Sequence, residues 1–418
     1  MTDEHTPVSG GILVVGGGIS GLTAALEAAE VGTDVFLVER NPYLGGRVAQ
    51  LNQYFPKLCP PSCGLEINFK RIKNNRRIRV YTMTEVKNVS GSAGNFQVNL
   101  ETSPRYVNNN CTGCNACVEV CPEERDNDFN FNMDKNKAIY KAHDMAFPMK
   151  YVIDMDACTR CGKCVEACKY DAIDLDMEAK SFSLDAASIV WATGWTPYDA
   201  TKMDNLKFGQ SNAIITNMMM ERLSAPNGPT EGKILRPGDN KEPESFAFVQ
   251  CAGSRDENHL EYCSYICCMA SLKQITYIRE RYPEAKVSVY YIDLRTPGKY
   301  EKFREKLMAD EKITFIKGKV ADIIPEADGG VTVVAENAVT GEKVQEKVDM
   351  AILATGMAPA IQTEGAALGL QMDSNGFLLG DADAGMIAAG CAKKAADVVT
   401  SNQSATAAAL KAIQVLRR

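Results

Sequence analysis

Fifteen cysteines are spread over 418 residues, and fourteen of them fall into four groups. Cys111, Cys114, Cys117 and Cys121 follow the spacing C-x2-C-x2-C-x3-C and are followed by a proline. Cys158, Cys161, Cys164 and Cys168 repeat that spacing. Four soft thiolates per run suit an iron–sulfur cube, three of them wrapping one face. In two-cluster runs of this kind the fourth cysteine ligates the other cluster. The expected ligand sets are therefore Cys111, Cys114, Cys117 with Cys168, and Cys158, Cys161, Cys164 with Cys121. Paired CxxC segments also make zinc sites, but two complete runs, one closed by Cys-Pro, favour two 4Fe–4S clusters.

A third group lies in "FVQCAGSRDENHLEYCSYICCMAS", Phe248 to Ser271. A buried strand at Phe246–Val249 should lead there into a helix, the place where a nucleotide-binding unit carries its glycine loop. The stretch holds Cys251, Cys263, Cys267 and Cys268 instead. Three readings are open: a further cluster held by all four, a redox disulfide such as Cys263 with Cys267, or buried inert thiols. Four cysteines within 18 residues, two of them adjacent, make the last the weakest. Cys59 and Cys63 flank two prolines, either as a structural loop or as a redox pair; Cys391 stands alone.

The elements that position these groups begin with a βαβ pattern. Strand-like Ile12–Val15 runs into Gly16-x-Gly18-x-x-Gly21, and the next strand, Val35–Val38, ends in Glu39. Gly16 permits the tight turn, Gly18 lets the backbone approach a pyrophosphate and Gly21 allows helix–strand packing. Glu39 takes the position that binds a ribose hydroxyl. Further along come Gly45-Gly46-Arg47, then Ser188–Gly194 ending in Ala192-Thr193-Gly194. Ile352–Gly356 is a second Ala-Thr-Gly segment, and Met386–Cys391 leads to an alanine-rich helix from about Gln403 to Val415.

This series resembles flavoprotein disulfide reductases and their thioredoxin-reductase-like relatives. The resemblance implies FAD held by Gly16, Gly18, Ile19, Ser20, Gly21, Glu39, Arg40, Gly46, Arg47, Ala192, Thr193, Gly194, Gly390 and Cys391. One departure is that Cys391 stands where those families usually carry an acid. The expected class is α/β, a thioredoxin-reductase-like flavoprotein of two dinucleotide-binding domains with an inserted two-cluster ferredoxin-like domain. The expected boundaries are 1–102, 186–243 and 346–418 for a discontinuous FAD domain, 103–185 for the insert, and 244–345 for a second Rossmann-like domain. In that second unit strands at Phe246–Val249 and Val287–Ile292 alternate with helices at Met269–Arg281 and Lys299–Met308.

A net charge of -7 leaves no basic excess to neutralise phosphates, which argues against nucleic acid. The N-terminus lacks the basic and apolar regions of a signal peptide. No apolar run reaches the ~20 residues of a membrane span. The chain reads as cytoplasmic, where clustered cysteines more often bind metal or do redox chemistry. The basic run Lys70, Arg71, Lys73, Arg76, Arg77, Arg79 reads as a solvated face. His5, His143 and His259 are the only histidines, and His143 and His259 read as surface or loop residues, not ligands.

Taken together, "CAGSRDE…YCSYICCM", "YYIDLRTPGKYEKF" and "AAGCAKKAADVV" resemble the A subunits of heterodisulfide reductases, flavin and iron–sulfur proteins. The resemblance covers nearly the whole chain and implies a third 4Fe–4S cluster on Cys251, Cys263, Cys267 and Cys268. The compact form is similar to A subunits of quinone-interacting membrane-bound oxidoreductase (Qmo) complexes. That implies electron transfer between the menaquinone pool and adenylylsulfate reductase in sulfate respiration. It also implies peripheral attachment at the inner membrane face through flavin, iron–sulfur and quinone-handling partner subunits. Two alternatives stand beside this. One is a soluble heterodisulfide-reductase-like subunit, with or without flavin bifurcation; the other is a stand-alone NAD(P)H-dependent reductase. The missing second glycine loop argues against the latter.

Overall fold

A computed structural model of the chain describes residues 10–418, so His5 and the N-terminal stretch around it lie outside the described residues. The chain divides into two compact units. The first takes the described residues up to Trp195 together with Pro359–Lys394 and Val398–Arg418; the second is Thr196–Ala358 with Ala395–Asp397.

The first unit opens with β1 (Gly11–Val15), α1 (Ile19–Glu30) and β2 (Val35–Glu39). Their near-continuous apolar runs are what strands covered on both faces require. Next come α2 (Pro61–Asn74), β3 (Ile78–Thr82), β4 (Thr84–Ser92) and β5 (Asn95–Thr102), and after the cysteine-rich insert β6 (Lys180–Trp191). The sheet order is β3-β2-β1-β6-β5-β4, with Met386–Ala388 also pairing with β6. Helix α2 falls where the prolines suggested a loop. Pro61 sits in the first turn, where a missing N–H is harmless. Leu65, Phe69 and Ile72 are buried, while Lys70, Arg71 and Lys73 lie on the outer side, so the basic run is a solvated face. Arg71 pairs with Glu30 and Arg77 with Asp34.

Strand β6 has two roles. Lys180–Ala186 pairs antiparallel with β5, and Ser188–Trp191 pairs parallel with β1. The insert therefore ends before Lys180 rather than at 185, because Lys180–Asp185 are already strand residues of the first unit's sheet. Helix α1 packs on the last helix, Val398–Leu416, through alanines: Ala24, Ala25 and Ala28 share one buried cluster with Ala405, Ala408, Ala409 and Ala412.

The second unit holds β7 (Ile214–Thr216), α3 (Asn217–Ser224), β8 (Ser245–Ala252), α4 (Cys267–Arg281), β9 (Lys286–Tyr291), α5 (Glu301–Met308), β10 (Ile313–Lys317) and β11 (Met350–Thr355). They form a parallel sheet of order β7-β11-β8-β9-β10. This unit is larger than 244–345. Strand β11 lies between β7 and β8, so residues 196–243 and 346–358 belong with this unit and not with the first. A separate antiparallel sheet of Val320–Pro325, Val331–Glu336 and Lys343–Val348 completes it.

The alanine seam generates a test. Ala408→Leu adds a branched side chain to a buried position of this alanine cluster, and overpacking of this kind costs about 1–3 kcal/mol. The variant should melt several degrees below wild type by circular dichroism; an unchanged melting temperature would show that the seam has slack.

Candidate functional site

In the glycine loop each residue is held by a close approach. Gly16 has φ +110°, and a Cβ there would lie 2.3 Å from the Ala192 carbonyl oxygen. A Cβ on Gly21 would lie 1.7 Å from the Gly16 carbonyl oxygen. Gly46, at φ +54°, places its Cα under Gly18, where a Cβ would come within 2.8 Å of the Gly18 Cα. The Gly45 amide donates to the Gly17 carbonyl at 2.8 Å. Two glycine turns thus lie back to back and leave bare backbone at the start of α1, the arrangement that accepts a pyrophosphate. The Ala192-Thr193-Gly194 end of β6 joins the same strand ends: the Ala192 amide donates to the Val15 carbonyl at 2.8 Å. Thr193 Oγ1 is buried with no protein partner, a polar atom that a ligand would satisfy.

Glu39 is buried, and its Oε2 accepts the Gly17 amide at 2.6 Å while Oε1 accepts from the Asn41 amide at 2.8 Å. Burial pushes its carboxyl up, against those hydrogen bonds. Its carboxyl group therefore braces the glycine loop. Arg47 is held by the Trp195 carbonyl (3.3 Å) and Gln50 Oε1 (2.9 Å). Arg40 is exposed and meets Glu364 at 3.4 Å. Ile19 is partly buried at the helix start, and the adjacent Ser20 Oγ lies 2.1 Å from where a Cβ on Gly390 would fall. Cys391 is buried with Sγ 3.6 Å from Ser401 Oγ.

In the insert, the two runs are folded alike. Gly113 and Arg160, each just before the second cysteine of its run, both have positive φ (+73° and +55°). Asn115 and Gly162, just after it, do too (+72° and +78°). Each pair of left-handed residues winds a C-x2-C-x2-C segment into a one-turn helix, Ala116–Glu119 or Lys163–Ala167. Cys111, Cys114, Cys117 and Cys168 line one solvent-open hollow. Cys121, Cys158, Cys161 and Cys164 line a second. The structure therefore gathers the runs in crossed sets, and the buried Ile139 lines both cavities. Among the described residues no three His, Cys, Asp or Glu side chains converge to hold a single ion. Each set of four thiols lines a hollow of its own. Burial and the neighbouring thiols push Cys117 up to about 12 and raise Cys164 as well. The Arg160 and Ala172 amides donate to Cys158 Sγ and Cys168 Sγ, each at 3.4 Å; such bonds tune cluster potential.

In the second unit, Cys251, the penultimate residue of β8, has φ +57°, a left-handed conformation rare for a residue with a side chain. The ladder to β11 breaks at that point, between Val249 and Ala252. Cys267 and Cys268 form the first turn of α4. Burial, then the charges of Cys268, Cys251 and Cys263, raises the Cys267 thiol well above its ordinary range. Cys251 is pushed up to about 11 by burial and Cys268. The four thiols therefore feel one another's charge. Asp293 holds Arg255 at 2.6 Å and Arg295 at 3.4 Å beside them. His143 and His259 lie in loops, His143 against Phe129 and His259 against Tyr198. Sequence reading did not find Gln50, and it did not single out the hydroxyl of Thr193, since neither stands in a spacing pattern.

Residues 11–73 match the family model of FAD dependent oxidoreductases, and residues 110–173 match the 4Fe-4S dicluster domain. The chain is 37% identical over 372 residues to the A subunit of the H(2):CoB-CoM heterodisulfide,ferredoxin reductase of Methanothermobacter marburgensis, a match covering 88% of this chain and 56% of that protein. It is 39% identical over 374 residues to the iron-sulfur A subunit of the CoB–CoM heterodisulfide reductase of Methanocaldococcus jannaschii, covering 87% and 56%. The chain is a homologue of the heterodisulfide reductase A subunits. It spans a little over half the length of these relatives. In fold it is similar to the thioredoxin reductase of Lactococcus lactis (TM-score 0.55, 14% identity, 98% of this chain and 99% of that one). The thioredoxin reductase of T. acidophilum gives a TM-score of 0.53 at 13% identity, covering 97% and 96%. The heterodisulfide-reductase-like chain thus combines a thioredoxin-reductase-like α/β fold with a FAD-dependent oxidoreductase module and a 4Fe–4S dicluster module.

The crossed thiol sets make a specific prediction. Pairing Cys121→Ala with Cys158→Ala strikes one cavity and should remove ~4 of ~8 insert irons. Pairing Cys121→Ala with Cys117→Ala strikes both and should remove nearly all. Iron and acid-labile sulfide analysis checks this, and the reverse pattern would mean that each run ligates its own cluster.

Proposed function

We propose that the chain is the electron-transferring flavin and iron–sulfur subunit of a larger redox complex. The observation that carries this reading is the pair of four-thiol cavities set in the same compact unit as the back-to-back glycine turns. Bound FAD exchanges two electrons together or one at a time while each cluster carries one, so such a chain splits or joins electron pairs. The chain's own part is to hold these groups in place. Gly16, Gly18, Gly21 and Gly46 give backbone access, Thr193 and Arg47 offer a hydroxyl and a cation, and the crossed cysteines provide eight thiolates. Cys251, Cys263, Cys267 and Cys268 hold a third cluster where a nucleotide unit would keep its phosphate loop. Their left-handed strand exit and mutual charge effects support that over inert thiols.

The partners we propose are further subunits of a hetero-oligomeric complex. Two settings are open to the test. One is a heterodisulfide-reductase-type complex, supported by the relatives above. The other is a Qmo-type complex at the inner membrane face, joining menaquinone to adenylylsulfate reductase, supported by the motif resemblance. Among the described residues no helix is long and apolar enough to cross a membrane, so attachment in the second setting runs through partners. Affinity purification from the native host, with identification of the co-purifying subunits, separates the two.

Anaerobically purified chain should carry one FAD and ~12 irons, ~4 per cluster. Cys263→Ala should lose about a third of that iron and retain FAD. NADH should leave the flavin absorbance unchanged; rapid bleaching would show that the second unit is a nicotinamide site after all.

A further inference from the structure

The segment between the two cysteine runs reaches back onto the flavin loop. Phe129 is 3% exposed and belongs to the core of the glycine-loop unit. The Phe147 carbonyl accepts the Leu44 amide at 2.8 Å, and its ring stacks on Phe69 with centroids 5.4 Å apart. His143 stacks on Phe129 at 4.9 Å, and Tyr43 meets the Phe129 ring edge-on at 5.7 Å. From the insert's base, Arg105 Nη2 donates to the Pro42 carbonyl at 2.7 Å and to Thr82 Oγ1 at 2.8 Å. Thr82 and Phe69 apart, the flavin-unit partners in these contacts fall on residues 42–50, the stretch that contains Gly45-Gly46-Arg47.

One side chain ties this clasp to the flavin site. Gln50 is 3% exposed; its Nε2 donates to the Phe129 carbonyl at 3.1 Å, and its Oε1 accepts from Arg47 Nη1 at 2.9 Å. The amide thus has one end on the insert and the other on the partly buried guanidinium. Arg47 loses solvation there, which lowers its pKa, so it depends on the acceptors it keeps. A carboxylate at position 50 would also hold Arg47 but would cancel its charge. The neutral Gln50 amide holds Arg47, leaves its charge uncompensated and still donates to the insert.

We propose that Gln50 is a positioning residue that couples the seating of the ferredoxin insert to the shape of the flavin loop. The insert is then part of the FAD site without touching the ligand. Coupling of this kind is reciprocal: FAD binding tightens the clasp, and a seated clasp strengthens FAD binding. The inference rests on the FAD reading of Gly16–Gly46.

The test uses the full chain and hydrogen–deuterium exchange, followed peptide by peptide, with and without FAD. In wild type, FAD should slow exchange in 127–148 as well as in 42–50. Gln50→Leu should speed exchange in 42–50 at least tenfold without FAD, weaken FAD binding about tenfold and abolish the FAD effect on 127–148, with insert iron unchanged. Gln50→Glu should keep the Arg47 contact, lose the Phe129 bond and likewise uncouple 127–148. It also keeps the inference testable should Gln50→Leu fail to fold. FAD binding that leaves 127–148 unprotected in wild type would overturn the coupling, as would uncoupling absent in both variants. A chain that binds no FAD would instead overturn the functional reading, while the exchange of 42–50 in the FAD-free variants would still decide whether Gln50 holds the loop.

Discussion

Thiols buried side by side resist losing their protons, because each thiolate would face both a poorly solvating interior and its neighbours' charge. Cys117, pushed up to about 12, and Cys251, pushed up to about 11, show the size of that resistance. Such a set gives up its protons only when a cation takes their place, so the rest of the architecture must hold the sulfurs together beforehand. In the insert this falls to the backbone. The left-handed residues around each second cysteine recur at equivalent positions, as Gly113 and Asn115 in one run and Arg160 and Gly162 in the other. At each position one run uses glycine and the other a larger residue. The requirement is thus for the turn itself, and it is met even where a side chain makes the conformation costly.

The second unit meets the same constraint with different means. A parallel α/β sheet directs its strand ends and helix N-termini to one edge, which is why nucleotide sites form there. In the first unit that edge carries Gly16 to Gly21. In the second it carries Cys251 at the strand exit and Cys267 and Cys268 in the first helical turn. A phosphate loop needs bare backbone and hence glycine; a thiol site needs side chains at the same places. Exchanging one chemistry for the other alters the turn and leaves the sheet intact. The register break between Val249 and Ala252 is the local distortion that turns Cys251 out of the ladder.

What was legible in the sequence was whatever is local. The cysteine spacings, the first βαβ unit and the strand before Cys251 are each set by residues close together in the chain. The domain edges were not, because they depend on pairing. Lys180–Asp185 read as insert until β5 is seen beside it, and Met350–Thr355 read as flavin domain until it lies between β7 and β8. Helix α2 was hidden by the two prolines, which are loop signals except at a helix start. Glu39 was legible as an acid in the ribose position, but its bond to the Gly17 amide depends on a side-chain orientation that no spacing encodes. The clasp was hidden for the same reason: Phe129, His143 and Phe147 form no pattern, and their partners on the flavin loop lie far away in sequence.

The place of the insertion explains how a cluster-bearing module could enter this fold at all. Strands β5 and β6 are antiparallel neighbours, and Thr102 pairs directly with Lys180. The chain leaves the sheet and returns to it at adjacent positions, so the loop can hold a whole module without parting the strands. A module attached only there could swing about that hairpin. A second attachment at a distance from that hinge holds the module in one place. The bonds from Leu44 to Phe147 and from Gln50 to Phe129 are that second attachment. They fall beside Gly45 and Gly46, so the constraint that fixes the insert also bears on the second glycine turn.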